Sequence, residues 1–459
     1  MRAVALVVIA CGAACGGGTD APDAAGRDAG AAPDGTVDAA ITDDGPTRYP
    51  AGAERSPVTP AVVARLRAIA AAGPAQRDDV FLKAGASGTV SARFLWCLAG
   101  PAHQPGYVID LDGRAALEPT MANISAVLDD GDTPFDRATL AAEVGRTAAW
   151  ALAGDPSPLA QELAATTPRF AFVNYGTNDM EAAASYGAAL APFWRNLNAL
   201  LDQLEAAGVV PIVTGLNPRA DDAEAARWVP TWDSVTRALA EARQVPYLSL
   251  YVASSPLADQ GLGGDGLHGN VYVDPGGGGD EPCVFTAEGL GFNYNVRNLR
   301  SVELLDAARR VVVAGEAAPD APVVPALAGE GTAAAPYVID TLPFTHAGDT
   351  RGGEAARDGY PACDAGQDES GPERTYALHL DAPAALRFVV LDGDAPGAEV
   401  DVDVHVLVDG ACVERADRLV DRTLPAGDHL VVVDTFGAAA GAYALVIQPC
   451  EPGDPACGS

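Results

Sequence analysis

Positive charge is scarce in this 459-residue chain, where 29 Lys and Arg stand against 62 Asp and Glu, a formal net charge of −33. Such a surface repels nucleic acid and anionic membrane alike, so neither is expected as a partner. Acidity also keeps an exported protein in solution, which requires no partner at all. Two further absences narrow the chemistry. The glycine-rich run at 276–280 lacks the lysine of a phosphate loop, and no Cys/His cluster has zinc spacing. Both fit a protein that works without a cofactor.

The N-terminus is apolar only briefly. Arg2 supplies a minimal positive region, residues 3–14 an apolar stretch too short to span a bilayer, and Cys15-Gly16-Gly17-Gly18 opens a polar tract. Residues 1–15 therefore read as an export signal, and they resemble the signal of a bacterial lipoprotein. Cys11 and Cys15 compete as the lipid-modified residue. Cys15 is favoured because Cys11 then leaves with the signal and six cysteines remain, an even number suited to disulfides in an oxidising compartment. The expectation is an exported chain held to the bacterial envelope by a lipid on Cys15, with no other membrane contact. Residues 16–55 are rich in Ala, Asp, Gly and Pro and nearly free of large apolar side chains, so they read as a disordered tether.

Nearly half of the chain is apolar, and 459 residues suggest more than one domain. From 56 to 315, apolar runs of strand type (80–83, 170–173, 209–213, 245–250) alternate with amphipathic helical ones (from 60, 190–207, 232–243, 298–313). That alternation predicts an α/β domain with a parallel sheet covered on both faces, and reactive residues at the strands' carboxyl ends. Residues 316–335 read as a linker. From 336 to 450, short alternating runs punctuated by Pro, Gly and Asp predict an all-β sandwich, with 451–459 as a tail. Six cysteines allow fifteen connectivities; pairing within domains favours Cys97 with Cys283, Cys363 with Cys412 and Cys450 with Cys457.

The stretch Val80-Phe81-Leu82-Lys83-Ala84-Gly85-Ala86-Ser87-Gly88-Thr89 presents a serine where an apolar strand ends. A serine nucleophile needs a base, normally histidine. The α/β region offers His103, in a proline-bounded loop with no carboxylate close in sequence, and His268. In Asp265-Gly266-Leu267-His268 an acid lies three residues before the imidazole, and a tight turn can place it on Nδ1, leaving Nε2 for Ser87. A glycine-rich surface loop is the plain alternative for that stretch. Asn174-Tyr175-Gly176-Thr177-Asn178-Asp179 begins where a strand stops, so it supplies either an amide donor for an oxyanion or an ordinary strand-to-helix turn.

Together these pieces resemble the SGNH hydrolases, the GDSL esterase and lipase family, over roughly residues 80–313. Gly85-Ala86-Ser87 stands for the family's Gly-Asp-Ser, Gly176-Thr177-Asn178-Asp179 for its Gly-x-Asn-Asp and Asp265-Gly266-Leu267-His268 for its Asp-x-x-His. Gly145 is the best candidate for the separate glycine block. The resemblance implies a flavodoxin-like sheet, a catalytic triad of Ser87, Asp265 and His268, and an oxyanion hole made by the N–H groups of Ser87 and Gly145 with the Asn178 amide. It implies hydrolysis of acyl esters of carbohydrate, lipid or small-molecule type, with no metal. Two positions depart from the family: Ala86 replaces the usual Asp, and Gly269 stands where Pro is frequent. An SGNH-like surface protein that binds without cleaving is the alternative.

The C-terminal region looks like the bacterial pre-peptidase C-terminal sandwich, on residues 336–339, 343–345, 376–380 and 442–443. In it, Val400, Val402, Val404 and Val406 alternate with Asp401, Asp403 and His405. A core face backed by a solvated one explains the pattern. A calcium site using Asp401 and Asp403 is the sharper reading.

Overall fold

The computed structural model describes residues 46–276, 278–363, 367–394 and 398–457. The proposed signal, Cys11, Cys15 and the tether up to residue 45 lie outside the described residues. Residues 46–55 are not loose. Thr47 and Tyr49 are buried, and the Tyr49 N–H donates to Glu241 Oε2 at 2.8 Å while its hydroxyl donates to the Val245 carbonyl at 2.9 Å. The sparse apolar content of this stretch concealed a single aromatic anchor.

The first helix, α1 (Pro60–Ala72), starts on the Thr59 cap with proline in its first turn, and it buries Val62, Val63, Leu66 and Ile69 as its spacing predicts. Four parallel strands follow in the order β1 (Arg77–Gly85), β2 (Pro168–Asn174), β3 (Val210–Thr214) and β4 (Tyr247–Leu248). Ala142 forms a single parallel bridge to Gly85 on the far edge of β1. Counting that bridge as a rudimentary strand gives the order 2-1-3-4-5 of a flavodoxin-like sheet. Here β1 has one neighbour that precedes β2 in sequence and another that is β2 itself. The carboxyl ends of the strands meeting there form the crevice of a topological switch point.

Helices cover the sheet: α2 (Ser87–Val90), α3 (Tyr186–Ala206), α4 (Ala223–Arg243) and α5 (Asn293–Val312) are the ones that matter for the site. Helix α4 begins nine residues before the sequence pattern suggested, running straight through Pro230, because Asp222 caps it at 2.7 Å from the Ala225 N–H. Its outer side is not solvated either, since the sandwich packs on it.

Among the described residues that sandwich has nine strands: β5 (Tyr337–Ile339), β6 (Phe344–Asp349), β7 (Arg374–Leu380), β8 (Ala384–Asp392), β9 (Val402–Val408), β10 (Ala411–Ala416), β11 (Leu419–Leu424), β12 (Gly427–Thr435) and β13 (Ala442–Pro449). They form a four-stranded sheet, β11-β8-β13-β6, and a five-stranded one, β10-β9-β12-β7-β5. The inner faces enclose Phe388, Val404, Val406, Val431 and Leu445. The outer face of the four-stranded sheet places Val389, Leu391, Ala444 and Val446 in the core of the α/β half. Burial of large apolar side chains there contributes roughly 1.5–3 kcal/mol each. Polar groups at the seam are matched: Ser234 donates to Gln448 Oε1 at 2.8 Å, and the Arg387 guanidinium lies 3.4 Å over the Trp228 ring. Residues 316–335 form no helix or strand but are tied down, with Asp320 Oδ2 accepting from the Val58 N–H at 2.8 Å. Among the described residues, disulfides join Cys97 to Cys283, Cys363 to Cys412 and Cys450 to Cys457.

Candidate active site

Ser87 opens α2 directly beyond the carboxyl end of β1, so its N–H has no acceptor within the helix. Val90 closes the turn by donating to the Ala86 carbonyl at 3.0 Å. The Ser87 hydroxyl points at His268, with Oγ 2.8 Å from Nε2. His268 Nδ1 lies 2.7 Å from Asp265 Oδ2. The carboxylate assigns the imidazole proton to Nδ1, and Nε2 is left to accept from the serine.

The histidine loop is a closed turn. The Gly263 N–H donates to the His268 carbonyl at 2.7 Å, and the Asn270 N–H to the Gly261 carbonyl at 2.8 Å. Asp265 Oδ1 accepts from the N–H groups of His268 and Leu267 at 3.0 and 3.1 Å. These hydrogen bonds, led by that of the His268 backbone, pull the Asp265 carboxyl down to about 2. Both side chains are open to solvent, 42% exposed for His268 and 54% for Asp265, so a substrate can reach them without a lid opening.

Gly145 and Asn178 face the same cleft, of about 250 Å³, together with Ser87, Thr177, Asn217 and Tyr294. Gly145 has φ +79°, a conformation that exposes its backbone and that side chains disfavour. The Asn178 amide donates to the Arg146 carbonyl at 3.0 Å, which leaves its second N–H for another acceptor. The segment carrying Gly145 is fixed at both ends. Tyr175 donates to the Ala141 carbonyl at 2.7 Å, and Asp179 accepts from the N–H groups of Ala148 and Gly176 at 3.0 and 3.1 Å. Asp179 is therefore a loop clamp rather than a helix cap, and its burial raises its carboxyl to about 6.

Sequence reasoning missed the support beneath the site. On the first turns of α5, Asn293 donates to Asn217 and Ser254, Asn295 to the carbonyls of Glu281 and Val284, and Asn298 to those of Arg93 and Pro282. Asn270 in turn accepts from the Asn293 N–H at 2.9 Å, so the histidine loop caps the helix. Arg297 donates to Gly88 and to Asn174, which itself donates to the carbonyls of Thr214 and Gly215. The dense Asn content of residues 293–298 was the available signal. The departure at Gly269 has a cause in the same bracket: a β-carbon there would lie 2.0 Å from Asn293 Oδ1, so neither Pro nor Ala fits. His103 is far from bare, with Asp136 Oδ2 3.9 Å from its Nδ1, but it stands outside the cleft.

Asp401 and Asp403 are not brought together as a cation site. Asp401 is exposed, while Asp403 is buried and paired with Arg415 at 2.9 Å. The face shared by Asp403 and His405 is not solvated, because residues 350–363 and 367–373 cover it: Glu354 bridges to Glu373, and the Tyr360 ring stacks on His405 at 3.7 Å.

Among solved structures, similarity is found to a GDSL-like lipase from Bacteroides thetaiotaomicron (15% identity, 52% of this chain and 97% of that one, TM-score 0.27). It is also found to a putative acylhydrolase from Bacteroides fragilis (15%, 37% and 74%, 0.23) and to the pre-peptidase C-terminal domain of a collagenase from Bacillus anthracis (10%, 23% and 90%, 0.16). No curated protein matches the chain significantly. The family model described as GDSL-like Lipase/Acylhydrolase family matches residues 112–272, which begins beyond Ser87 and includes Gly145, Asn178, Asp265 and His268. The similarity to that family covers residues 112–272, within the α/β half of this chain.

Proposed function

We propose that the protein is an exported serine esterase that cleaves short acyl esters through an acyl-enzyme. The observation that carries this reading is the Ser87–His268–Asp265 relay, with contacts of 2.8 and 2.7 Å in an open cleft. Ser87 Oγ attacks the ester carbonyl as its proton passes to His268 Nε2. The oxyanion is met by the N–H groups of Ser87 and Gly145 and by the free N–H of the Asn178 amide. His268 then returns the proton to the departing alkoxide, and the acyl group stays on Ser87. Water, deprotonated by His268, attacks that ester; the acid leaves and Ser87 recovers its proton.

The cleft favours a small acyl group. Seven of its fourteen lining residues are Gly, Asn or Thr, and a volume of about 250 Å³ leaves little room for a long chain beside Val144, Tyr175, Leu267 and Tyr294. An acetylated glycan or another short ester fits this lining better than a long-chain lipid. Three disulfides support an oxidising compartment, in keeping with export and with Cys15 as the lipid-bearing residue.

Hydrolysis of nitrophenyl acetate by the wild-type chain and by Ser87→Ala tests the chemistry. Loss of nearly all activity in the variant is expected. Equal rates would sink the esterase reading and leave a binding module that does not cleave. Partition of the mature chain into detergent, lost in Cys15→Ser, tests the anchor.

A further inference from the structure

The five-stranded sheet has one face turned away from the sandwich core, and a second concentration of titratable groups lies there. His405 on β9, Asp434 on β12 and Glu369 from the covering segment are each 0% exposed. One ligand atom from each lies within 4.8 Å of the other two. Among the described residues, both ring nitrogens of His405, both carboxylate oxygens of Glu369 and Oδ1 of the adjoining Asp403 have no hydrogen-bond partner. The nearest approaches to Glu369 are His405 Nε2 at 3.6 Å and Arg415 Nη2 at 3.3 Å, neither with hydrogen-bond geometry. A buried polar atom left unmatched costs about 1–3 kcal/mol, and several converge on this one point.

Charge is also out of balance. Glu369, Glu373, Asp403 and Asp434 are four buried carboxylates, and the guanidiniums that face them are two: Arg415 beside Asp403 and Glu369, and Arg357 beside Glu373. Asp434 meets no Lys or Arg among the described residues; its Oδ2 accepts from the Tyr360 hydroxyl at 2.8 Å and its Oδ1 from the Thr435 N–H at 2.7 Å. The Tyr360 ring stacked on His405 holds the imidazole plane fixed. Oriented ligands with outer hydrogen-bond partners are the usual surroundings of a bound metal ion.

We propose that Glu369, His405 and Asp434 bind a divalent transition-metal ion of the zinc class at a buried structural site. The donor set decides the ion. One imidazole nitrogen with carboxylate oxygens suits zinc, whereas calcium favours oxygen alone. A divalent cation would neutralise the surplus of two negative charges and give the orphaned atoms a partner. It would also staple the covering segment to β9 and β12, beside the Cys363–Cys412 disulfide that already joins that segment to β10. The ligands are scattered from 369 to 434 on three elements, so no short motif announces them.

The test uses the full chain, stripped with a chelator, incubated with zinc and desalted. One equivalent of zinc is expected to stay with the wild type, with a rise of several degrees in Tm. The same retention is expected in His268→Ala, which removes the imidazole of the other site, and in His379→Ala, which removes an exposed histidine. Glu369→Gln, which preserves shape, and His405→Ala should both lose the ion and the Tm response. Cobalt in place of zinc should give visible absorption in the wild type and none in Glu369→Gln. Failure of the wild type to retain zinc, retention by Glu369→Gln and His405→Ala, or stabilisation by calcium alone would each overturn the proposal.

Discussion

Arg297 Nη1 donates to the carbonyl oxygen of Gly88 at 3.0 Å while its Nη2 donates to Asn174 Oδ1, also at 3.0 Å. One guanidinium thus holds the Ser87 turn against the end of β2. The side chain is 1% exposed, lies 4.0 Å from the Phe94 ring centroid and makes no salt bridge among the described residues. Burial lowers its pKa to about 10, so the charge persists at neutral pH. Ala86 brings no carboxylate to this turn, and Arg297 ties it to the sheet instead.

Replacing Arg297 by Met should therefore do two things. It strips two half-buried oxygens of their donor, a loss of about 1–3 kcal/mol in urea unfolding. It also frees the Ser87 turn, so kcat on nitrophenyl acetate should fall at least tenfold with a smaller change in KM. Lysine should not rescue, because a single ammonium cannot span both acceptors in a fixed fork. Unchanged kcat beside lowered stability would assign Arg297 to packing alone.

Asp265→Asn should lower kcat/KM by roughly 10³-fold. An amide directed at Nδ1 favours the tautomer with the proton on Nε2, which then cannot accept from Ser87. The wild-type carboxyl, pulled down to about 2, contributes stability above the ordinary carboxylate range that is lost only as pH falls through about 2. Any acid limb of activity above pH 4 thus belongs to another group. A variant within tenfold of wild type would show that solvent orients the imidazole instead.

Gly269 and Asn293 should behave as a coupled pair. Gly269→Ala places a methyl group 2.0 Å from Asn293 Oδ1, and relief must displace either α5 or the loop that carries His268. A loss of about 2 kcal/mol and a drop in kcat are expected. Asn293→Gly in the same chain should restore part of both. Additive effects in the double-mutant cycle would remove the steric link.

What was legible in the sequence follows from distance along the chain. The spacing of Val62, Val63, Leu66 and Ile69 fixed the buried face of α1 because a helix is a local structure. The Ser87–His268–Asp265 alignment was legible because each residue ends or begins a local element: Ser87 after β1, and Asp265 with His268 in one turn. Arg297, Asn293 and Asp179 were not, since each acts on backbone brought near only by the fold. The same limit hid the covered face of β9, where alternation alone made Asp403 and His405 look solvated. The sequence pattern reached only 232–243 of helix α4, whose first nine residues include Pro230; an interior proline disfavours a helix locally, and packing between the sheet and the sandwich overrides it.

Burial at the seam between the two halves makes stability depend on pH in a defined direction. Glu241 Oε2 accepts from the Tyr49 N–H at 2.8 Å and from the Thr345 hydroxyl at 3.2 Å, tying the N-terminal segment, α4 and β6 together. Desolvation raises its carboxyl to about 7, against about 4.3 in an unfolded chain. The folded state then holds a proton that the unfolded state has lost, so the stabilisation is complete below about pH 4 and disappears as pH rises through 7. The span corresponds to about 3–4 kcal/mol. Gln at this position keeps one oxygen for both donors and removes the titration. The stability of Glu241→Gln relative to wild type should therefore climb from pH 5 to pH 8, and comparing the two chains cancels the parallel titration of Asp233, which burial raises to about 6. Thermal unfolding of both proteins across that range decides it, and a constant difference would mean that Glu241 keeps the same protonation state throughout.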